Sequence, residues 1–162
     1  MRHFNILFLL ATLTFSLSGQ AQCTRKSNHD LRSLLGVYVY DASHLSKFQA
    51  FPGLQFQEFE LRTFAGSQYK IVFDVAQADP NLLIEVYETK KGEKTLLWSS
   101  KGKEILDNGS YAFFVKNQSK RLKVRYEIQG SKHPTCATMA LGFVVKNDIV
   151  QPKKNTPKVR IK

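Results

Sequence analysis

Residues 121 to 129 read RLKVRYEIQ, and the alternation within them decides the fold. Leu122, Val124, Tyr126 and Ile128 interleave with Arg121, Lys123, Arg125 and Glu127. Successive side chains of a strand point to opposite faces, so one face is apolar and the other almost wholly charged. Burying an Arg–Lys–Arg row is prohibitively unfavourable, so that face meets water or an anionic partner. A strand with one dry and one wet face belongs to an antiparallel sheet. PTCATMALGF, at 134–143, differs. Ala137, Met139, Leu141 and Phe143 point one way, and the small Cys136, Thr138, Ala140 and Gly142 the other. It predicts a strand covered on both faces, with Cys136 near its start.

Working outward, strand-like stretches recur between turn signals. LQFQEFELRTF ends at AGS, where Gly66 can take positive φ. QYKIVFDV follows, then LLIEVYE after the breaker Pro80, then TLLWSS beyond TKKGEK. YAFFVK comes after the turn dipeptide Asn108-Gly109. Parallel sheets need long crossovers, and no stretch between these segments suits a long helix. The expectation is an all-β chain: an antiparallel β-sandwich, jelly-roll-like or immunoglobulin-like in layout, with a closed barrel as the alternative.

Before the strands, residues 1–21 have a basic start, an apolar run from Ile6 to Leu17, and small Gly19 and Ala21 near their end. That is the pattern of a cleavable secretory signal, and the run is too short for a membrane span. Residues 22–47 read as a lead-in with a short helix, because Asn28 or Asp30 can cap and Leu31, Leu34 and Leu35 keep helical spacing. The sandwich is expected over 48–150 and a basic tail over 151–162. The mature chain is therefore expected to be exported, periplasmic or extracellular, with no transmembrane segment.

Export gives the cysteines a meaning. Cys23 and Cys136 are the only two in the chain, and pairing is the natural prediction in an oxidising compartment. Lipidation of Cys23 is the rival fate. Lipoprotein signals want a small residue directly before the cysteine, and here Gln22 stands there.

The formal charge is +11, and the last twelve residues contribute +5 of it. Lys116, Lys120, Arg121, Lys123 and Arg125 cluster within ten positions. That group is the candidate face for an anionic ligand, with anionic envelope glycans, lipid head groups or another envelope protein as partners. Nucleic acid is not expected, because the chain is exported and carries no recognisable nucleic-acid module. Trp98, Tyr38, Tyr40 and Tyr87 are candidate sugar-stacking residues, against the alternative that Trp98 simply packs in the core.

No catalytic arrangement emerges. There is no GxSxG, HExxH, glycine-rich phosphate loop or calcium-loop spacing, and Asp79 and Asp107 are isolated loop carboxylates. No cofactor, metal or catalytic residue is expected. The expected role is a non-enzymatic binding or accessory protein of the cell envelope, with a carbohydrate-binding module as the alternative.

The run from FELRTFAGSQY through YEI is similar to small exported β-sandwich proteins of Gram-negative bacteria. It also loosely resembles the bacterial pre-peptidase C-terminal domain family, at Phe59, Leu61, Gly66, Tyr69, Tyr87, Tyr126 and Ile128. That resemblance implies an ancillary, ligand-binding module.

Overall fold

The structure, a computed structural model, describes residues 23, 28–116 and 118–145. The expected signal segment and the expected tail lie outside the described residues. Helix α1 (Asn28–Leu35) is followed by eight strands: β1 (Val39–Phe48), β2 (Phe51–Thr63), β3 (Ser67–Asp74), β4 (Leu83–Lys90), β5 (Glu93–Ser99), β6 (Ser110–Lys116), β7 (Lys120–Ser131) and β8 (Thr135–Val145). They form two four-stranded sheets, ordered β1-β8-β3-β6 and β2-β7-β4-β5, and every paired neighbour is antiparallel. The first strand pairs with the last, and the chain passes from one sheet to the other at every connection except the β4–β5 hairpin. The molecule is an eight-stranded double-sheet sandwich of jelly-roll layout, not a closed barrel.

The core lies where the two inner faces meet. Tyr69, Ile71 and Phe73 of β3 and Ala137, Met139 and Leu141 of β8 pack against Ile84 and Val86 of β4 and the apolar row of β7. Tyr126 is fully buried at the centre, meeting Phe73 and Phe48 edge-on and Phe59 at a tilt. The one-sided character of 121–129 thus becomes an inner row sealed by the second sheet and an outer row in water.

β8 is dry on both faces for a separate reason. Its outer face receives α1, whose Leu31 and Leu35 reach full burial against Val72 and Ala140. Residues four apart share a helix face, so these two leucines form the apolar stripe the sheet covers. The helix stops at Gly36, whose φ of 68° lets its N–H return to the Arg32 carbonyl at 3.2 Å. Lys70, on the outer face of β3, donates Nζ to the Leu34 and Leu35 carbonyls at 2.8 and 3.3 Å. A cation thereby meets the negative end of the helix. The Cys23–Cys136 disulfide, with α-carbons 5.8 Å apart, pins the chain ahead of the helix to the start of β8. The bond to Cys136 supports the paired fate of Cys23, and nothing in the structure supports a lipid anchor there.

The sandwich begins at Val39, nine residues before the expected boundary. β1 was hidden because it is an edge strand with a bulge between Tyr40 and Ala42, which breaks the two-residue period. Its polar Asp41, Ser43, Ser46 and Lys47 further mask the alternation.

Candidate anion-binding pole

Register places one set of connections at the same end of the sandwich. Thr63 lies opposite Lys120, Ser67 opposite Val145, and Gln68 opposite Lys116. The β2–β3 turn, the β4–β5 hairpin and the β6–β7 link therefore meet at one pole. It carries Arg62, Lys90, Lys91, Lys94, Lys116, Lys120 and Arg121, against Glu88 and Glu93. The opposite pole mixes Asp74, Asp79, Glu104 and Asp107 with Lys101, Lys103 and Lys132. The chain leaves the sandwich at the basic pole through Val145. Residues 146–162 then hold Lys146, Lys153, Lys154, Lys158, Arg160 and Lys162 against Asp148. Among the described residues the positive excess is gathered at this pole.

Local structure fixes this pole. Thr63, nearly fully buried, donates its hydroxyl to the Gln118 carbonyl at 2.9 Å and accepts from the Lys120 N–H at 3.2 Å. Ser119 donates its hydroxyl to the Thr63 carbonyl at 3.3 Å, so the two connections are bound to each other. The hairpin turn has positive φ at both central residues, Lys91 (52°) and Gly92 (88°), the primed geometry that matches the twist of its strands. Lys91 is thereby held at the tip.

The five basic residues singled out by sequence occupy distinct settings. Lys123 Nζ lies 3.3 Å from Glu58 and 4.0 Å from Glu60 on the outer face of β2. Arg125 donates to Glu127 at 2.6 Å and lies over the Phe56 ring, 5.1 Å from its centroid. Lys120 meets Glu88 at 2.6 Å. Among the described residues, Arg121 and Lys116 have no carboxylate partner. Arg121 instead stands directly opposite Arg62 across the β2–β7 pair, both exposed and both on the outer face. Like charges in that position repel. Around them lies a depression of about 240 Å³ bordered by Thr63, Phe64, Ser119 and Lys120, with Phe64 61% exposed.

Sequence alone misses Arg62, because the residue opposite Arg121 is set by register. It also misses the hairpin lysines Lys90, Lys91 and Lys94, whose run TKKGEK signals only a turn.

The middle of this outer face is already matched by its own ion pairs, Lys94 adding to Lys123 on Glu58 at 3.6 Å. Burial raises the Glu58 carboxyl, but the hydrogen bonds and charges of Lys123 and Lys94 outweigh that and hold it below its usual value. Tyr87 donates its hydroxyl to Glu85 at 2.5 Å. That bond, with burial and the Glu85 charge, pushes the phenol up to about 12.

The aromatic candidates do not share a surface. Trp98 stacks on Phe73 at 5.4 Å and packs beside Tyr111 and Phe113 at the margin of the core. Tyr38 and Tyr40 pack with α1 on the outer face of the β8 sheet, and Tyr87 lies on the outer face of the β7 sheet. Among the described residues no three or more His, Cys, Asp or Glu side chains gather as a metal site. No described helix is long and apolar enough to cross a membrane.

The fold and this pole define an antiparallel β-sandwich with a one-ended positive surface. No family profile and no curated protein matches the chain. Among solved structures, it is similar to PliG of Aeromonas hydrophila, a periplasmic inhibitor of g-type lysozyme. The TM-score is 0.42 and the identity 12%, over 67% of this chain and 89% of that one.

Proposed function

We propose that this is an exported, non-enzymatic binding protein whose basic pole takes a multivalent anionic ligand of the cell envelope. One observation carries the proposal. Arg62 and Arg121 face each other with no carboxylate partner among the described residues, at the pole that also carries Lys116 and the lysine-bearing hairpin. A sandwich that matches Lys123, Arg125 and Lys120 with acids nearby, yet leaves two guanidiniums opposed, holds a place for an external anion. Guanidinium forks suit phosphate and carboxylate oxygens. The tie between Thr63, Gln118 and Ser119 keeps the two guanidiniums in register before any ligand arrives. The net positive charge of residues 146–162 would raise the encounter rate with a polyanion.

The test is retention on an immobilised acidic polysaccharide across a salt gradient. The full chain should bind at low salt and elute as salt screens the pole. Arg62→Gln with Arg121→Gln should weaken binding roughly tenfold or more, since bonds to charged groups are the stronger class. Arg125→Gln, whose cation is already matched by Glu127, should change it little. Equal losses from both changes would overturn the assignment to this pole.

A further inference from the structure

Beside the pole, the edge strands β5 and β6 belong to different sheets and face each other without pairing. Between them lies a shallow slot of about 310 Å³ that is largely open to solvent. Its walls are apolar: Leu97, where β5 bulges, with Phe113 and Val115 of β6. Lys116, Gln118 and Lys120 border it as well, Lys120 with its charge matched by Glu88. Phe114, on the same rim, is 47% exposed. A volume of that size is at the low end for a ligand pocket, so it suits part of a ligand and not a whole one. An apolar slot under an ammonium rim matches a molecule that is greasy at one end and anionic at the other.

Building on the basic pole as an anion site, we propose that the ligand is a phosphate-headed lipid, with the start of an acyl chain seated in the Leu97–Phe113–Val115 slot and its head group on Lys116. Charge decides among occupants. The chain's own residues 146–162 are cationic and would be repelled by this rim, whereas a lipid phosphate is drawn to it. Lys120 is held by Glu88, so Lys116 is the cation that the head group meets first.

Trp98 is the only tryptophan of the chain, and its ring lies 6.2 Å from that of Phe113. Its emission therefore reports on the slot. The experiment titrates the full-length protein with a ladder of alkyl phosphates below their micelle concentrations. Inorganic polyphosphate and an alkyl glucoside of equal chain length are run beside it. Affinity should rise roughly fourfold per added methylene until the slot is full, then level off. Trp98 emission should shift with the alkyl phosphates and not with polyphosphate. Lys116→Gln should weaken every member of the ladder by a similar factor. Leu97→Gln should flatten the ladder while keeping polyphosphate binding, which separates a blocked slot from a misfolded protein.

A flat ladder with polyphosphate still bound would overturn the slot and leave the pole standing. A rising ladder with no polyphosphate binding at any salt would overturn the pole and leave an apolar site. Equal affinity for the alkyl glucoside would overturn the anionic head group. A shift of Trp98 emission on deleting residues 146–162, with no ligand present, would show the chain's own end in the slot and overturn the lipid.

Discussion

Tyr126 sits at the centre of the sandwich with three aromatic rings around it and its hydroxyl without a partner among the described residues. A buried, unpaired hydroxyl is a net cost, and burial drives its phenol pKa well upward. Tyr126→Phe keeps the ring and removes the orphan. It should leave stability unchanged or raise it by about 1 kcal/mol, read from urea unfolding at neutral pH. A loss of similar size would show that the hydroxyl is bonded. Tyr87 gives a pH-dependent counterpart. Its neutral phenol is favoured in the fold, so its contribution is fully present below the unfolded value near 10. That contribution is lost as pH rises toward about 12. The urea midpoint of the native protein should therefore fall more steeply above pH 10 than that of Tyr87→Phe. Parallel curves would remove the Glu85 bond from the account.

At the scale of elements, the helix and the disulfide act together on the outer face of β8. The bond links positions 113 residues apart, so it restricts the unfolded chain strongly. Replacing Cys23 and Cys136 together by Ser should lower stability by about 2–5 kcal/mol, measured by urea unfolding against the oxidised protein. A change under about 1 kcal/mol would mean that Leu31, Leu35 and the Lys70 cap hold the segment unaided. The pairing was legible because two cysteines in a chain expected to be exported have few other fates. The strands 121–129 and 136–145 were legible because each shows a clean period of two. β1 was not, since an edge strand packs on one side only and its bulge erases the period. The cover over β8 was legible only as dryness on both faces; that a helix supplies it came from the packing of Leu31 and Leu35.

For the whole molecule, the separation of charge matters more than its sum. The far pole is nearly balanced, and the outer face of β7 is knitted by Glu58, Glu60 and Glu127. Among the described residues the excess is left at one end, where Arg62 and Arg121 repel each other across the β2–β7 pair. Arg121→Glu places opposite charges across the β2–β7 pair. It should raise stability by up to about 1 kcal/mol while weakening binding to acidic polymers. Thermal unfolding at low salt, with the retention assay beside it, checks both signs. Unchanged binding would move the ligand elsewhere.

The sequence by itself determined the all-β antiparallel class, the dry and wet faces of 121–129, and the cysteine pair. Each follows from local periodicity or from the chemistry of the residues themselves. Only the tertiary structure decided the jelly-roll order, the early start at Val39, the pairing of Arg62 with Arg121, and the slot between β5 and β6. Those depend on which strands become neighbours and in what register. A strand's own side chains specify which face is buried; they do not specify the strand that will lie beside it.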